Sequence, residues 1–95
     1  MKKFKVVIEL SAGADIQESY DWGVLTWGKP MADEWVNKLQ TTITDIGLFP
    51  ESYAVAPESY VFLQVVRQSI FGRYRILFTI QKRVVHILHV RGAYI

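Results

Sequence analysis

Between Gly72 and Gly92 the chain reads GRYRILFTIQKRVVHILHVRG, and Gln81-Lys82-Arg83 is the only polar break between two runs rich in β-branched residues. Runs so narrowly separated are expected to pair as an antiparallel hairpin. Alternation along the first run puts Tyr74, Ile76 and Phe78 on one face, and Arg73, Arg75, Leu77 and Thr79 on the other. The first face is expected to meet a covering layer, leaving the arginines on an open side of the sheet. Gly72 marks a turn or bulge, and a third run, rich in Val, Tyr, Phe and Ile between Tyr60 and Ile70, supplies the preceding strand.

The covering layer is legible upstream. KFKVVIEL alternates, with Phe4, Val6, Ile8 and Leu10 on one face and Lys3, Lys5 and Glu9 on the other, the pattern of a half-buried strand. A first helix is expected over about 12–27, with Ser11 as cap, Asp15 and Glu18 early in the helix, and loosening near Gly23. Its apolar stripe is Ile16, Tyr20, Val24 and Trp27, which leaves Trp22 off the stripe. Gly28-Lys29-Pro30 breaks the pattern, and Pro30 suits the first position of a second helix with Asp33 and Glu34 in its first turn. Trp35, Leu39, Ile43 and Ile46 form the second stripe, Gly47 is expected as a left-handed cap, and Pro50 prevents the helix from resuming. PESY occurs twice between residues 50 and 60, too little to define a structural repeat. The expected fold is α+β: an N-terminal strand, an antiparallel helix pair, then a three-stranded antiparallel run. Together they form a small, mainly antiparallel sheet with the helices on one face. Pattern alone leaves open whether the first strand lies at an edge or runs parallel to its neighbour.

Ninety-five residues, 51% apolar and 14% aromatic, fit one domain, 1–95, with a single core. There is no cysteine, and His86 and His89 alone could not close a zinc site, so neither a metal nor a cofactor is expected. MKKFKVVIEL lacks the apolar core of a signal peptide, and no run nears the roughly 18 apolar residues of a membrane span. The expected setting is the cytoplasm. Charge is unevenly spread: residues 1–50 carry five lysines against seven acids, whereas 51–95 carry six basic residues against Glu51 and Glu58. That basic half could offer a face to an anionic partner, or be a solvated rim.

The helical hairpin, the phrase LFPESY and the block GRYRILFTIQKRVVHILHVRGAY together resemble the RelE/ParE superfamily of small bacterial toxins from type II toxin–antitoxin systems. The resemblance covers nearly the whole chain, and its most specific part runs from Gly72 to Gly92. It implies a four-stranded sheet carrying two helices, and a cognate antitoxin partner forming a toxin–antitoxin hetero-oligomer. Coupled folding of an antitoxin tail onto a basic face is consistent with the charge distribution.

The superfamily divides by target: RelE-like members cut mRNA on the ribosome, and ParE-like members poison DNA gyrase. RNA cleavage through the 2′-hydroxyl requires a base, cations around the phosphate, and an acid for the leaving oxygen. Arg75 matches the superfamily arginine that meets the phosphate in the nucleases, and Arg91 lies near a second one. His89 or Tyr94 could act as acid or base, and Arg67 could add charge. Each also has a structural reading: Arg75 as bidentate partner of a nearby carboxylate, Arg91 as a charged strand end, Tyr94 as a terminal packing residue. His86 and His89 differ by three, so a regular strand puts them on opposite faces, one of them in the core. The nuclease pattern is incomplete, since VFLQVVRQSIF has no lysine where RelE-like nucleases carry them, and ribonuclease activity stays open. The phrase GRYRILF and the helical N-terminal half favour the ParE branch, with Arg67, Arg73, Arg75 and Trp22 as partner-binding candidates. An inert protein-interaction module is the third possibility.

Overall fold

The computed structural model describes residues 3–92. Strand β1 (Lys5–Ile8) leads into helix α1 (Leu10–Trp27) and helix α2 (Lys29–Ile46); a 3-10 turn at Pro50–Ser52 and a one-turn helix α3 (Ser59–Phe62) follow. Strands β2 (Arg67–Phe71), β3 (Tyr74–Gln81) and β4 (Val84–Gly92) complete the chain. The sheet order is β1-β4-β3-β2, antiparallel except that β1 runs parallel to β4 at one edge, Lys5 opposite Val84 and Ile8 opposite Ile87. This is the α+β arrangement expected, with the strand order now settled.

The β3–β4 hairpin closes on Lys82 and Arg83 alone, both at positive φ (50° and 63°), as a two-residue turn with the twist of its strands demands. Across the other hairpin Phe71 faces Tyr74, with Gly72 at φ 58° in the tight turn between them. One residue joins the two long helices. Gly28 (φ 94°, ψ 158°) ends α1 and begins α2 in a region of backbone space open essentially to glycine. Lys29 precedes Pro30 as the first helical residue, and Tyr20 reaches across to donate to Asp33 (2.5 Å).

Leu39, Ile43 and Ile46 of α2, with Ala12 of α1, bury themselves against Ile76, Phe78, Val85, Ile87 and Val90 of the sheet. Trp35 packs its ring on Tyr74 and Phe71, so the whole second stripe is used as expected. Several local expectations fail, each for a visible reason. Ile8 is exposed and Leu10 lies in the helix, because β1 stops after four residues. Beyond Ile87 the edge of β4 is served by α1 instead: Ser11 donates its hydroxyl to the Leu88 carbonyl (2.6 Å), and Asp15 accepts from the Val90 amide (3.0 Å). Ser11 therefore does not cap α1, which starts at Leu10 after an extended Glu9. Asp15 and Glu18 fall beyond the first turn of α1, and Asp33 and Glu34 beyond that of α2. Gly23 is buried within a continuous α1, and Trp27 is exposed instead of packed in the core.

Gly47 is not left-handed (φ −63°, ψ −14°). A Cβ there would lie 2.8 Å from the Phe4 carbonyl oxygen and 3.0 Å from Val6 Cγ2, so its value is close approach to the strand entering β1. Gly47→Ala is expected to cost about 1–2 kcal/mol by overpacking, read as a lower urea midpoint at unchanged slope.

The second face of the sheet is also not open. Residues 54–66, expected as loop and strand, form a strap across it, held by Gln68 N–H to the Ala54 carbonyl (2.9 Å) and Ala56 N–H to the Val66 carbonyl (2.7 Å). Thr79 anchors the strap by donating to the Val65 carbonyl (2.9 Å). Beneath it Leu77 is fully buried with Ala56 and Val66, and Phe62 and Leu88 pack alongside.

Candidate functional site

Strands β3 and β4 place Arg75 directly opposite Arg91. Arg75 stands mid-sheet under the strap, where an unpaired guanidinium would be costly. Glu58, the residue preceding α3, meets it with both oxygens: Nη1 to Oε2 and Nη2 to Oε1, each 2.7 Å. Gln68 of β2 accepts from Nε (3.0 Å) and Nη2 (2.7 Å), and Arg91 Nη1 lies 3.8 Å from Glu58 Oε2. The guanidinium of Arg75 holds the Glu58 carboxyl at about 2, with a backbone N–H and the charge of Arg91 helping, although desolvation opposes them. The same contact raises Arg75. The pair is bidentate and only part-exposed, the geometry in which ion pairs hold. Arg75 thus has the carboxylate partner that its structural reading required.

A bulge decides where the histidines lie. Leu77 faces His89 and Phe78 faces Ile87, so Leu88 is an extra residue in β4. That insertion resets the alternation, and His86 and His89 come to lie opposite Thr79 and Leu77, on one face of the sheet. Neither is packed in the core: His86 Nδ1 contacts Glu9 Oε2 (3.0 Å) and His89 Nδ1 contacts Asp15 Oδ2 (2.9 Å), each partly exposed. His89 also lies against the Phe62 ring, 6.2 Å between centroids. The two histidines share a face but serve separate carboxylates.

Arg67 does not join this cluster. It faces Phe78 across β2–β3, on the side toward the helices, and donates to the Tyr53 carbonyl (2.7 Å). Arg73 is exposed in the β2–β3 turn. Trp22 and Trp27 stack edge to face, 5.0 Å apart, and are 52% and 46% exposed, so Trp22 is accessible together with a second ring. They line a groove of about 930 Å³ together with Tyr74, Arg73, Arg91 and His89. Tyr94 lies outside the described residues. Among the described residues no cluster of three or more histidine or carboxylate side chains could hold a metal ion, and no helix is long and apolar enough to cross a membrane.

The geometry offers two guanidinium groups converging on one carboxylate, with an aromatic groove next to them. A comparison with protein families decides what kind of chain carries it: the model described as ParE toxin of type II toxin–antitoxin system, parDE, matches residues 6–93. The chain belongs to the ParE toxin family. No curated protein matches this ParE-family chain in sequence. Among solved structures it is similar to the chromosomal ParDE toxin–antitoxin system from P. aeruginosa, with TM-score 0.78 and 17% identity over 95% of this chain and 96% of that one. It is also similar to a chain of the toxin–antitoxin complex RelBE2 from Mycobacterium tuberculosis, with TM-score 0.63 and 18% identity over 97% and 93% of the two chains. At such identities these likenesses concern the fold.

Sequence reasoning in this ParE-family chain gave Arg75 a nearby carboxylate as its structural partner but did not assign that carboxylate to Glu58. Glu58 and Glu51 are the only acids after residue 50, and Arg75 sits between apolar neighbours in a strand. A cation in that position calls for a carboxylate, and two candidates were at hand. Gln68, Glu9 and Asp15 carried no comparable signal.

Proposed function

We propose that the chain is the toxin of a type II toxin–antitoxin module, neutralised by a cognate antitoxin in a hetero-oligomer, and that its target is DNA gyrase. The family assignment supports the toxin role, and the solved relatives named above come from toxin–antitoxin systems. The choice of target rests on one observation: Arg75, the residue best placed to meet a scissile phosphate, is already engaged by Glu58 and Gln68. β2, which reads RQSIF, adds no lysine beside it. With four of its five N–H groups engaged from within, the guanidinium has little capacity left for a pentacoordinate phosphate. The aromatic groove, by contrast, suits protein recognition.

Purified protein added to gyrase and supercoiled plasmid is expected to trap cleaved DNA and inhibit supercoiling. The reading fails if supercoiling proceeds normally while the same preparation cuts mRNA in the ribosomal A site. In that case Arg75→Ala should abolish the cleavage, and the RelE-like mechanism takes its place. Expression that neither arrests growth nor affects either target would assign the chain to a non-toxic interaction module.

A further inference from the structure

One turn on the strapped face breaks two local rules together. Leu63 closes α3 in the left-handed conformation (φ 54°, ψ 34°), where glycine or asparagine is favoured because a Cβ crowds the following carbonyl. The residue is 91% exposed, so no burial within the chain offsets the strain. Tyr60 and Val61 in the same turn are 90% and 78% exposed. Phe62 alone turns inward, onto the small core of Leu77, Ala56 and Val66. Local rules broken without compensation inside a chain mark positions kept for function, and clustered exposed apolar groups mark partner surfaces.

The flanking charges say what chemistry the partner brings. Glu58 precedes the turn but is largely covered, its side chain 16% exposed, whereas the Arg75 and Arg91 side chains gripping it are 32% and 41% exposed. The rim beside the apolar turn is therefore guanidinium, with its carboxylate tucked beneath. We propose that Tyr60, Val61 and Leu63 anchor an amphipathic antitoxin segment that is apolar on one face and carries a carboxylate beside it toward Arg91, whose guanidinium comes no nearer than 3.8 Å to Glu58. This inference rests on the antitoxin reading above. The ion pair with Glu58 holds the turn in its presenting position before the partner arrives, so less order has to be imposed on binding.

The two roles of Leu63 separate in one substitution. Leu63→Gly relieves the left-handed strain and removes the anchor together, so melting temperature should not fall while partner affinity does. The partner probe is the purified protein encoded by the reading frame adjoining this gene, titrated calorimetrically into wild type, Leu63→Gly and Tyr60→Ser. Each variant is expected to bind at least about 10-fold more weakly. Wild-type binding should also weaken between low and high salt, as screened carboxylate–guanidinium contacts require. Wild-type affinity retained in both variants overturns the proposal and leaves the antitoxin reading standing. Salt-independent binding overturns the acidic character of the partner segment. Absence of wild-type binding overturns the antitoxin reading and this proposal with it. Self-association of the wild type that Leu63→Gly abolishes, with partner binding intact, would make a second copy of this chain the occupant.

Discussion

Phe78→Ala is expected to be the most damaging single substitution in the described chain, costing about 3–5 kcal/mol. The ring is fully buried between the helices and the sheet, and meets Tyr53 edge to face with 5.5 Å between centroids. It also stands at the register shift, where Leu88 is inserted between its partner Ile87 and His89. Emptying this position removes the apolar contact that holds the shifted strands to α2. The surrounding Leu39, Ile46 and Ile76 are themselves fully buried, which leaves the cavity little room to collapse. A domain of this size is stable by roughly 5–15 kcal/mol, so the variant keeps only a fraction of that margin. At roughly 4–8 °C per kcal/mol, thermal melting should show a midpoint lower by more than about 12 °C. A shift under about 5 °C would mean that the helices repack over the gap, and that the bulge does not depend on the ring.

Legibility followed the range over which each feature is encoded. The β3–β4 hairpin and the α2 stripe rest on repeats within a dozen residues, and both were readable because period and punctuation agree there. The joint at Gly28 was readable for the same reason, since Gly-Lys-Pro interrupts two helical patterns at once. The bulge was not. A single extra residue in β4 leaves no local mark among the apolar residues of VVHILHV, yet it reversed the alternation and moved His89 to the face of His86. Gly47 looked like a cap because helix ends commonly use glycine for its dihedral freedom. Here the constraint is the distance to Phe4 and Val6, more than forty residues away in sequence. The strap escaped for a related reason. Residues 60–66 have strand composition, but a turn of helix and a left-handed Leu63 place that composition across the sheet instead of within it. As for the site, the arginines were visible as residue types, while their shared carboxylate had to come from a segment whose path only the tertiary fold determines.

That shared carboxylate makes the second large prediction. Glu58→Gln keeps the size of the side chain and most of its hydrogen-bonding shape but removes the charge facing Arg75 and Arg91. With the Glu58 carboxyl held at about 2 against an ordinary value of 4.5, linkage puts the ceiling of its contribution near 3 kcal/mol. Arg75 is about a third exposed, and solvent screening brings the expected loss at pH 7 to about 2 kcal/mol. The sign follows from which state binds the proton more readily. The unfolded chain takes it up near 4.5 and the folded one near 2, so the stabilisation is complete above about pH 5 and drains away as pH falls toward 2. Urea unfolding of wild type and Glu58→Gln at pH 7, 5 and 3 should accordingly show two midpoints that converge on acidification. A gap that stays constant to pH 3 would show that the side chain acts through shape and packing alone. Because Glu58 fixes the start of α3, the same variant should loosen the strap and lose the presentation of Tyr60 and Leu63. Hydrogen exchange of the amides of residues 59–66 at pH 7 reads that directly: faster exchange there, with the Phe78 region unchanged, is the expected pattern.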